Sequence, residues 1–489
     1  MILDEILEIL KSKSSNKAYT VNNKTYTYFE FYKIVCNIYN YITENYEDAK
    51  KIVVFGHKEI YTKAAYLACS FAGKTYIPID SFFPEERINS IIKQANPDLI
   101  IGNIHQSECA NISIEKIEEL INRKDYKEID NITLKENDVY YIIFTSGSTG
   151  IHKGVKVAYR NLNSCVKWLK EISNINKSVI LNQANFSFDL SVADLYLSLI
   201  TESEHFILES NKLDFNVIFE QLRVSNTEIA VMTPSFAELL LLDKNFNCDL
   251  MKNLKQIFFC GEKLLNSTVK KLFVRFPELK IVNFYGPTEC TFAVSSVEIT
   301  KESFDDSEIS IGKAKSGVEI KIVDEDFKEL EEECIGEILI AGDSVSDGYL
   351  NVENKSFIKY NDKNAYLTGD LGYYKNGMLY YTSRKDSQIK YKGYRIELLD
   401  IENNLYNLNI FERVEVAALK DDNDTITKII AFVKILENNQ IDIFEIKKKL
   451  RKVLPEYMCP VIKVVNEFPI NGNGKCDKKE LLKRYKNGK

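Results

Sequence analysis

The sequence lacks the features that define several large protein classes. Its ten cysteines include no CxxC pair and no cysteine–histidine spacing suited to zinc. The formal net charge of −7 argues against nucleic acid or a membrane surface as a general partner. No window approaches the roughly 18 to 20 consecutive apolar residues of a membrane span, and the first 20 residues lack a signal peptide's basic start. These absences predict a soluble, cytoplasmic protein with reduced cysteines.

Strand-like and helix-like segments alternate over most of the chain. Residues 51–56 ("KIVVFG") read as a strand, and residues 58–73 read as a helix that precedes the next strand. Residues 266–278 likewise read as a helix between two strands, with Asn266 or Ser267 available as its N-cap. This alternation predicts an α/β protein with mostly parallel sheets flanked by helices.

The domain organisation is predicted from length and from a change of pattern. A chain of 489 residues is too long for one compact core. Near Ser383 the alternation gives way to a smaller α+β pattern with a basic helix, after a short polar run at residues 383–388. We therefore expect a large N-terminal domain over residues 1–384 and a small, mobile C-terminal domain over residues 385–489.

A loop rich in hydroxyls and glycine follows one buried-looking strand, in the stretch "YIIFTSGSTGIHKGVK" (141–156). Glycines allow backbone N–H groups to converge on an anion, and a lysine adds a point charge. A Walker-type loop would need Ser or Thr after the lysine, but Gly154 stands there. The residues predicted to hold a triphosphate are Thr145, Ser146, Gly147, Ser148, Thr149, Gly150 and Lys153.

This loop resembles the signature T-S-G-S-T-G-x-P-K-G of the adenylate-forming superfamily, which includes acyl-CoA synthetases, luciferases and peptide-synthetase adenylation domains. Only His152 departs from it, since proline is usual there. Further motifs follow in the family's order: "NFYGPTEC" (283–290), "YLTGD" (366–370), "SRKDSQ" (383–388) and "NGNGKCDKKEL" (471–481). The resemblance implies a ligase that uses ATP as cosubstrate and Mg²⁺ as cofactor.

The resemblance also implies how the nucleotide is bound. Tyr285 offers a flat face for the purine, and Asp370 with Arg384 would hold the ribose hydroxyls. Glu289 would supply a hard oxygen ligand for Mg²⁺. Further positions implied to bind ATP are Gly261, Glu262, Asn283, Phe284, Gly286 and Thr288.

A two-step reaction follows from the same resemblance. A carboxylate attacks the α-phosphorus of ATP, giving an acyl-adenylate and pyrophosphate, and a phosphopantetheine thiol then attacks the adenylate. Lys475 and Glu289 are the implied catalytic residues, because they offset the charge that builds on the phosphate. Asp386 is the implied hinge about which the C-terminal domain would rotate between the two steps.

The acid is expected to be a small amino acid. Asp189, in "NFSFDLSVADLY" (185–196), aligns with the aspartate that pairs the substrate's α-ammonium; a helix N-cap is its alternative role. Three phenylalanines shrink the implied pocket, while Ala193 opens space on one side. By family alignment the pocket is lined by Leu190, Ala193, Val231, Phe258, Cys260, Phe284, Phe292 and Ala293.

Three stretches resemble the D-alanine:D-alanyl carrier protein ligases within the superfamily: "FSFDLS", "TPSFAELLLL" and "FFCGEKL". D-Alanine is therefore the best guess, with glycine, L-alanine and β-alanine left open, because one methylene is worth only about 1–3 kcal/mol. No carrier domain follows Lys489, so we expect a separate, acidic, phosphopantetheinylated carrier protein.

Three other functions remain possible at this point. A stand-alone peptide-synthetase adenylation enzyme would activate another amino acid. An acyl-CoA synthetase would use coenzyme A alone, but fatty acyl-CoA synthetases lack the aspartate at position 189. A nucleotide-sensing module would be expected to lack Lys475 or Glu289, and both are present.

Overall fold

The computed structural model describes residues 1–104, 109–145, 152–209, 214–304, 308–385, 388–421, 425–436, 442–469 and 476–488. The chain divides into two compact units. The first comprises residues 1–82, 92–144 and 154–385, and the second comprises residues 83–91, 145–153 and 386–489. The predicted boundary between residues 384 and 385, and the mobility of the C-terminal domain, stay predictions.

Helices and strands alternate along the chain up to residue 385. The helices there are α1 (Ile2–Lys11), α2 (Tyr28–Asn45), α3 (Ile60–Phe71), α4 (Glu85–Ala95), α5 (Ile114–Asn122), α6 (Tyr159–Ser173), α7 (Leu190–Ile200), α8 (Phe215–Val224), α9 (Pro234–Leu241) and α10 (Asn266–Arg275). The strands are β1 (Lys17–Val21), β2 (Lys24–Thr27), β3 (Lys51–Gly56), β4 (Thr75–Asp80), β5 (Leu99–Ile101), β6 (Ala110–Ile112), β7 (Val139–Thr145), β8 (Lys153–Ala158), β9 (Val179–Asn182), β10 (Glu204–Ile207), β11 (Ile229–Met232), β12 (Gln256–Phe259), β13 (Lys280–Tyr285), β14 (Ser295–Ile299), β15 (Lys313–Ala314), β16 (Val318–Val323), β17 (Gly336–Gly342), β18 (Phe357–Tyr360), β19 (Lys363–Lys375) and β20 (Met378–Arg384).

These strands form three sheets. The nine-stranded sheet has the order β15-β14-β13-β12-β11-β9-β10-β1-β2 and is parallel from β13 to β1, with antiparallel strands at both edges. The six-stranded sheet has the order β6-β5-β3-β4-β7-β8, and its β6-β5-β3-β4-β7 ladder is parallel. The third sheet, β16-β17-β19-β18 with β20 on β19, is antiparallel.

Local sequence explains where several of these elements begin. Thr27 caps α2 in a capping box, since its hydroxyl accepts from Glu30 N–H and the Glu30 carboxylate accepts from Thr27 N–H. Thr233 caps α9, and Pro234 occupies that helix's first turn. Helix α10 begins at Asn266 with Leu265 at its N-cap position, so the predicted capping role of Asn266 or Ser267 is wrong.

Alternation along the central strands of the nine-stranded sheet separates two cores. Val231, Phe258 and Phe284 belong to a large buried cluster that also includes residues of the six-stranded sheet and of α7. Their neighbours Met232 and Phe259 belong to a second cluster with α8, α9 and α10. Because successive side chains of a strand point to opposite faces, the predicted pocket residues share one face of this sheet.

The second unit carries its own core. Its helices are α11 (Leu398–Tyr406), α12 (Ile443–Val453) and α13 (Lys478–Lys486), and its strands are β21 (Gln388–Tyr391), β22 (Tyr394–Glu397), β23 (Phe411–Lys420), β24 (Ile426–Ile435) and β25 (Val461–Val464). Strands β23, β24 and β25 form one sheet, and β21 pairs with β22. The predicted α/β class, with a large sheet-rich domain and a smaller C-terminal domain, is confirmed.

Within the described ranges, no helix is both long enough and apolar enough to cross a bilayer.

Candidate active site

Three residues predicted from separate motifs meet at one carboxylate. Asp370 in β19 and Arg384 in β20 are direct neighbours across the antiparallel strands. Oδ2 of Asp370 accepts a 2.6 Å hydrogen bond from the Tyr285 hydroxyl, and Oδ1 accepts a 2.8 Å bond from Nη1 of Arg384. Since each carboxylate oxygen has two lone pairs, Asp370 can accept two more hydrogen bonds, which matches the two hydroxyls of a ribose.

Tyr285 is held in place by the turn that follows it. Burial, and then the charge of Asp370, raise the pKa of the Tyr285 hydroxyl well above its usual value, so it stays a donor. A Cβ at Gly286 would lie 2.5 Å from Cα of Ala293, so glycine is required where the backbone of Ala293 packs against residue 286. Val294 N–H then donates to the Tyr285 carbonyl at 2.8 Å. The turn therefore fixes both Tyr285 and the residues that line the predicted acid pocket.

Glu289 lies in the 3₁₀ turn Thr288–Cys290 and is fully buried. Its Oε1 accepts a 2.6 Å hydrogen bond from the Tyr349 hydroxyl, and Ser346 N–H donates to its backbone carbonyl at 2.9 Å. In the described part of the chain, no group of three or more histidines, cysteines and acids could hold a metal by itself. The predicted role of Glu289 as a ligand for Mg²⁺ stays a prediction.

The ends of the phosphate loop lie on two strands. Thr145 ends β7 and Lys153 begins β8, and the Thr145 hydroxyl donates to the Lys153 carbonyl at 3.4 Å. The remaining loop predictions, together with the hinge and the catalytic lysine, lie outside the described residues: Ser146, Gly147, Ser148, Thr149, Gly150, Asp386 and Lys475. Their roles stay predictions.

Two further residues predicted to bind ATP have partners in the protein. Oε2 of Glu262 accepts from Ser235 N–H at 3.0 Å, in the first turn of α9. The Asn283 amide donates to the Ser310 carbonyl at 3.1 Å. Gly261, between Cys260 and Glu262, has φ +94°, a conformation that favours glycine. These residues therefore position the ends of β12 and β13, and their contacts with nucleotide stay predictions.

The predicted acid pocket is assembled from four elements and the turns beside them. Asp189 lies half-buried at the N-terminus of α7, and its carboxylate forms no capping hydrogen bond with that helix in the described structure. Asp189 thus occupies the N-cap position that the alternative role expects, but without the capping hydrogen bond. The apolar residues predicted to line the pocket all belong to one buried cluster: Leu190, Ala193, Val231, Phe258, Cys260, Phe284, Phe292 and Ala293.

Aromatic rings occupy one side of this pocket. The Phe284 ring centroid lies 5.2 Å from that of Phe258 and 5.6 Å from that of Phe292. Trp168 of α6, the only tryptophan in the chain, packs edge-to-face on Phe284 at 5.4 Å. The predicted narrowing of the pocket by three phenylalanines is consistent with this cluster.

Sequence reasoning missed Trp168, Tyr141 and Tyr349. The Tyr141 hydroxyl is buried without a hydrogen-bond partner among the described residues, and burial and then Asp189 raise its pKa well above its usual value. Tyr349 lies 60 residues beyond Glu289 in the sequence. These contacts join distant segments, and no local pattern marks them; only for Trp168 was there a signal, the rarity of tryptophan in this sequence.

A family comparison agrees with this geometry. Residues 9–350 match the family described as AMP-binding enzyme. The chain belongs to the AMP-binding enzyme family. That match covers the described residues of the ATP and acid sites up to Tyr349, while Asp370, Arg384 and the C-terminal unit lie beyond it.

Curated relatives extend the similarity over nearly the whole of this AMP-binding enzyme. It is 35% identical to the D-alanine--D-alanyl carrier protein ligase of Lactococcus lactis subsp. lactis, over 99% of each chain. It is 37% identical to the proteins of that name from Listeria innocua and Bacillus licheniformis, over 90% of each chain.

Solved structures show the same fold at lower identity. The Vibrio cholerae adenylation domain AlmE, in complex with glycyl-adenosine-5′-phosphate, superposes with a TM-score of 0.84 at 22% identity, covering 99% of this chain and 98% of that one. PA1221, a protein with adenylation and PCP domains, gives 0.84 at 21% identity, covering 99% of this chain and 84% of that one. These likenesses establish the adenylation-domain fold.

Tyr285→Phe is expected to raise the KM for ATP about 10-fold, because a hydrogen bond to a charged group contributes about 1.5–3 kcal/mol. The change removes only the donor to Asp370 and leaves the aromatic ring that is predicted to face the purine. Initial rates of ATP–pyrophosphate exchange at varied ATP would measure it. Tyr373→Phe is the matched control, since it removes a 2.8 Å bond to the exposed Glu308. An equal KM for both variants would contradict the role given to Asp370.

Proposed function

We propose that this enzyme activates a small amino acid, D-alanine in the first instance, as an aminoacyl-adenylate and transfers it to a phosphopantetheine thiol of a separate carrier protein. The observation that carries the proposal is the placement of Asp189 at the start of α7, directly before the predicted pocket residues Leu190 and Ala193 of the buried cluster. A half-buried carboxylate beside apolar side chains favours a ligand that brings a cation, and an amino acid brings its ammonium. The relatives named D-alanine--D-alanyl carrier protein ligase support the choice of acid and acceptor.

The size of the acid is limited by the aromatic cluster. Phe284 contacts Phe258, Phe292 and Trp168, so the wall cannot retreat without disturbing four packed rings. Cys260 is a small apolar residue at the end of β12 and occupies one branch of the pocket. A methyl side chain fits this arrangement, and glycine and β-alanine are the nearest competitors.

The first step makes the mixed anhydride. An oxygen of the amino acid's carboxylate attacks the α-phosphorus of ATP, and pyrophosphate leaves with the electrons of the broken P–O bond. Asp189 pairs the ammonium, Asp370 holds the ribose, and Lys475 offsets the charge that develops on the α-phosphate. Glu289 would hold Mg²⁺, which would supply Lewis-acid stabilisation of the phosphates.

The second step transfers the acyl group to sulfur. The carrier's thiol gives its proton to water, its sulfur attacks the carbonyl carbon, and AMP leaves with the electrons of the broken C–O bond. Rotation of the C-terminal domain at Asp386 withdraws Lys475 and admits the thiol. Asp386→Pro restricts φ at that residue and is expected to retain ATP–pyrophosphate exchange while losing thioester formation. Equal loss of both activities, measured on one preparation, would refute the hinge.

The proposal is tested by two assays on the wild-type enzyme. ATP–pyrophosphate exchange over D-alanine, L-alanine, glycine and β-alanine identifies the acid, and D-alanine is expected to give the highest kcat/KM. Incubation with labelled acid and a holo-carrier protein, or with coenzyme A alone, then identifies the acceptor. Label on the carrier and none on coenzyme A is the expected result. Efficient transfer to free coenzyme A would instead indicate an acyl-CoA synthetase.

A further inference from the structure

Four polar side chains form a continuous buried contact path in the large unit. Nζ of Lys63 lies 3.3 Å from Nδ1 of His205, and Nε2 of His205 lies 3.1 Å from Oδ1 of Asp194. Oδ2 of Asp194 accepts a 3.0 Å hydrogen bond from the Asn182 amide. All four residues are completely buried. We refer to Lys63, His205, Asp194 and Asn182 as the buried polar chain.

The geometry assigns the protons of this chain. Lysine has only donors, so Lys63 donates to Nδ1 of His205, and the His205 proton then lies on Nε2 and is donated to Asp194. Burial and the nearby lysines lower the pKa of His205 well below its usual value, which agrees with a neutral ring. The Lys63 ammonium also lies 5.2 Å from the Tyr19 ring centroid and therefore has an aromatic face beside it.

The buried polar chain ends on the segment that carries Asp189. The Asn182 amide that donates to Asp194 also donates to the Ala184 carbonyl at 3.0 Å, and residues 184–189 lead directly into α7. Asp194 lies on α7 next to Ala193, which lines the pocket. Lys63 donates to the Ser198 hydroxyl at 3.1 Å, one helical turn further along. The buried polar chain therefore joins α3, β9, β10 and α7. It holds the residues on both sides of Asp189.

Lys58 provides a second attachment of the same segment. Its ammonium is buried and donates to the Gln183 carbonyl at 2.9 Å, next to the Ala184 carbonyl that Asn182 holds. Consecutive carbonyls at the start of the Asp189 segment are thus fixed by two different side chains. Replacing a buried ion pair by well-packed apolar residues is often neutral or stabilising, so stability alone does not require these groups.

We propose that Asp194 is a positioning residue for amino-acid binding: through Asn182 and His205 it fixes the 184–189 segment and α7 so that Asp189 meets the substrate's ammonium. The inference rests on the proposed function, because it takes Asp189 as the ammonium's partner. The proposed role of Asp194 is to orient Asp189 and not to take part in the reaction. Loss of Asp194 should therefore weaken binding of the amino acid and leave binding of ATP unchanged.

Asp194→Asn and the double change Lys63→Met with Asp194→Asn test this. Asp194→Asn is expected to raise the KM for the amino acid about 10- to 100-fold, as small displacements of a binding group do, and to leave the KM for ATP within about 2-fold. It also leaves Lys63 without its counter-charge, so the Tm falls. The double change removes both charges, so the Tm is expected to recover while the amino-acid KM stays high.

A variant that changes no buried charge keeps the inference testable if the Asp194 variants fail to fold. Asn182→Ala removes the link to Ala184 and is expected to raise the amino-acid KM about 10-fold. Asn37→Ala is its matched control, because Asn37 is another buried amide, bonded to the carbonyls of Leu120 and Arg123, and its loss should lower the Tm alone. The fluorescence of Trp168, the only tryptophan, reports binding of the acid independently of turnover.

Two results would overturn the inference. One is an amino-acid KM that recovers together with the Tm in the double variant. The other is an equal rise of both KM values in Asp194→Asn and Asn182→Ala. If instead the wild-type enzyme activated no amino acid in pyrophosphate exchange, the proposed function would fail, and the inference would fail with it. If the wild type activates amino acids but the variants do not raise the amino-acid KM selectively over the ATP KM, only the role of Asp194 is removed.

Discussion

Lys475→Ala is expected to slow adenylate formation about 10²- to 10³-fold, as loss of one group that stabilises developing charge does. The described residues just after Lys475 are firmly anchored. Asp477 caps α13 by accepting from Glu480 N–H at 3.0 Å, and Nζ of Lys478 lies 2.8 Å from Oε1 of Glu402. These contacts fix the start of α13.

Single-turnover formation of labelled aminoacyl-adenylate measures the effect of Lys475→Ala. Lys483→Ala is the matched control, since Lys483 is an exposed lysine of α13. The variant should still transfer a preformed adenylate to a carrier thiol, because the proposal withdraws Lys475 before that step. Adenylate formation at the wild-type rate would remove the lysine from the mechanism.

Asp189→Ala is expected to lower kcat/KM for the amino acid about 10²- to 10³-fold, since an ion pair broken at one partner costs about 3–5 kcal/mol when it is buried and less when it is half-buried. The KM for ATP should not change, because Asp370 and Arg384, which hydrogen-bond each other, are the residues predicted to hold the ribose. Pyrophosphate exchange at varied amino acid and varied ATP separates the two effects.

The control for Asp189 is Asp249→Ala, which removes an exposed aspartate of the same unit. A second readout is the substrate preference. Without the carboxylate at position 189, the enzyme should discriminate less between alanine and propionate, which lacks the ammonium. A preference for alanine that survived the substitution would assign the ammonium to another group.

Much of the α/β framework was predictable because its strands are short apolar runs between turn residues. Residues 51–56 form β3 as predicted, and the helix predicted over 58–73 is α3, Ile60–Phe71. Helix ends were harder to place, as the cap of α10 shows. Caps depend on local hydrogen bonds that compete with several nearby alternatives.

The candidate site also contains residues that were predictable from the sequence and residues that were not. Asp370, Arg384 and Tyr285 come from contiguous motifs, and the structure brings them together. Lys63 and His205 were not predicted, because each sits in an ordinary helix or strand and gains its role only through partners far away in sequence. A buried charge is visible only once burial is known, so this part of the site required the fold.

The central claim is that the enzyme selects its acid by the ammonium group that Asp189 pairs. The most direct measurement is ATP–pyrophosphate exchange by the wild-type enzyme with alanine and with propionate at equal concentrations. These acids share the carboxylate and the methyl group and differ in the ammonium. The account predicts strong exchange with alanine, the D-enantiomer foremost, and little above background with propionate. Exchange with propionate as fast as with either enantiomer of alanine would contradict it.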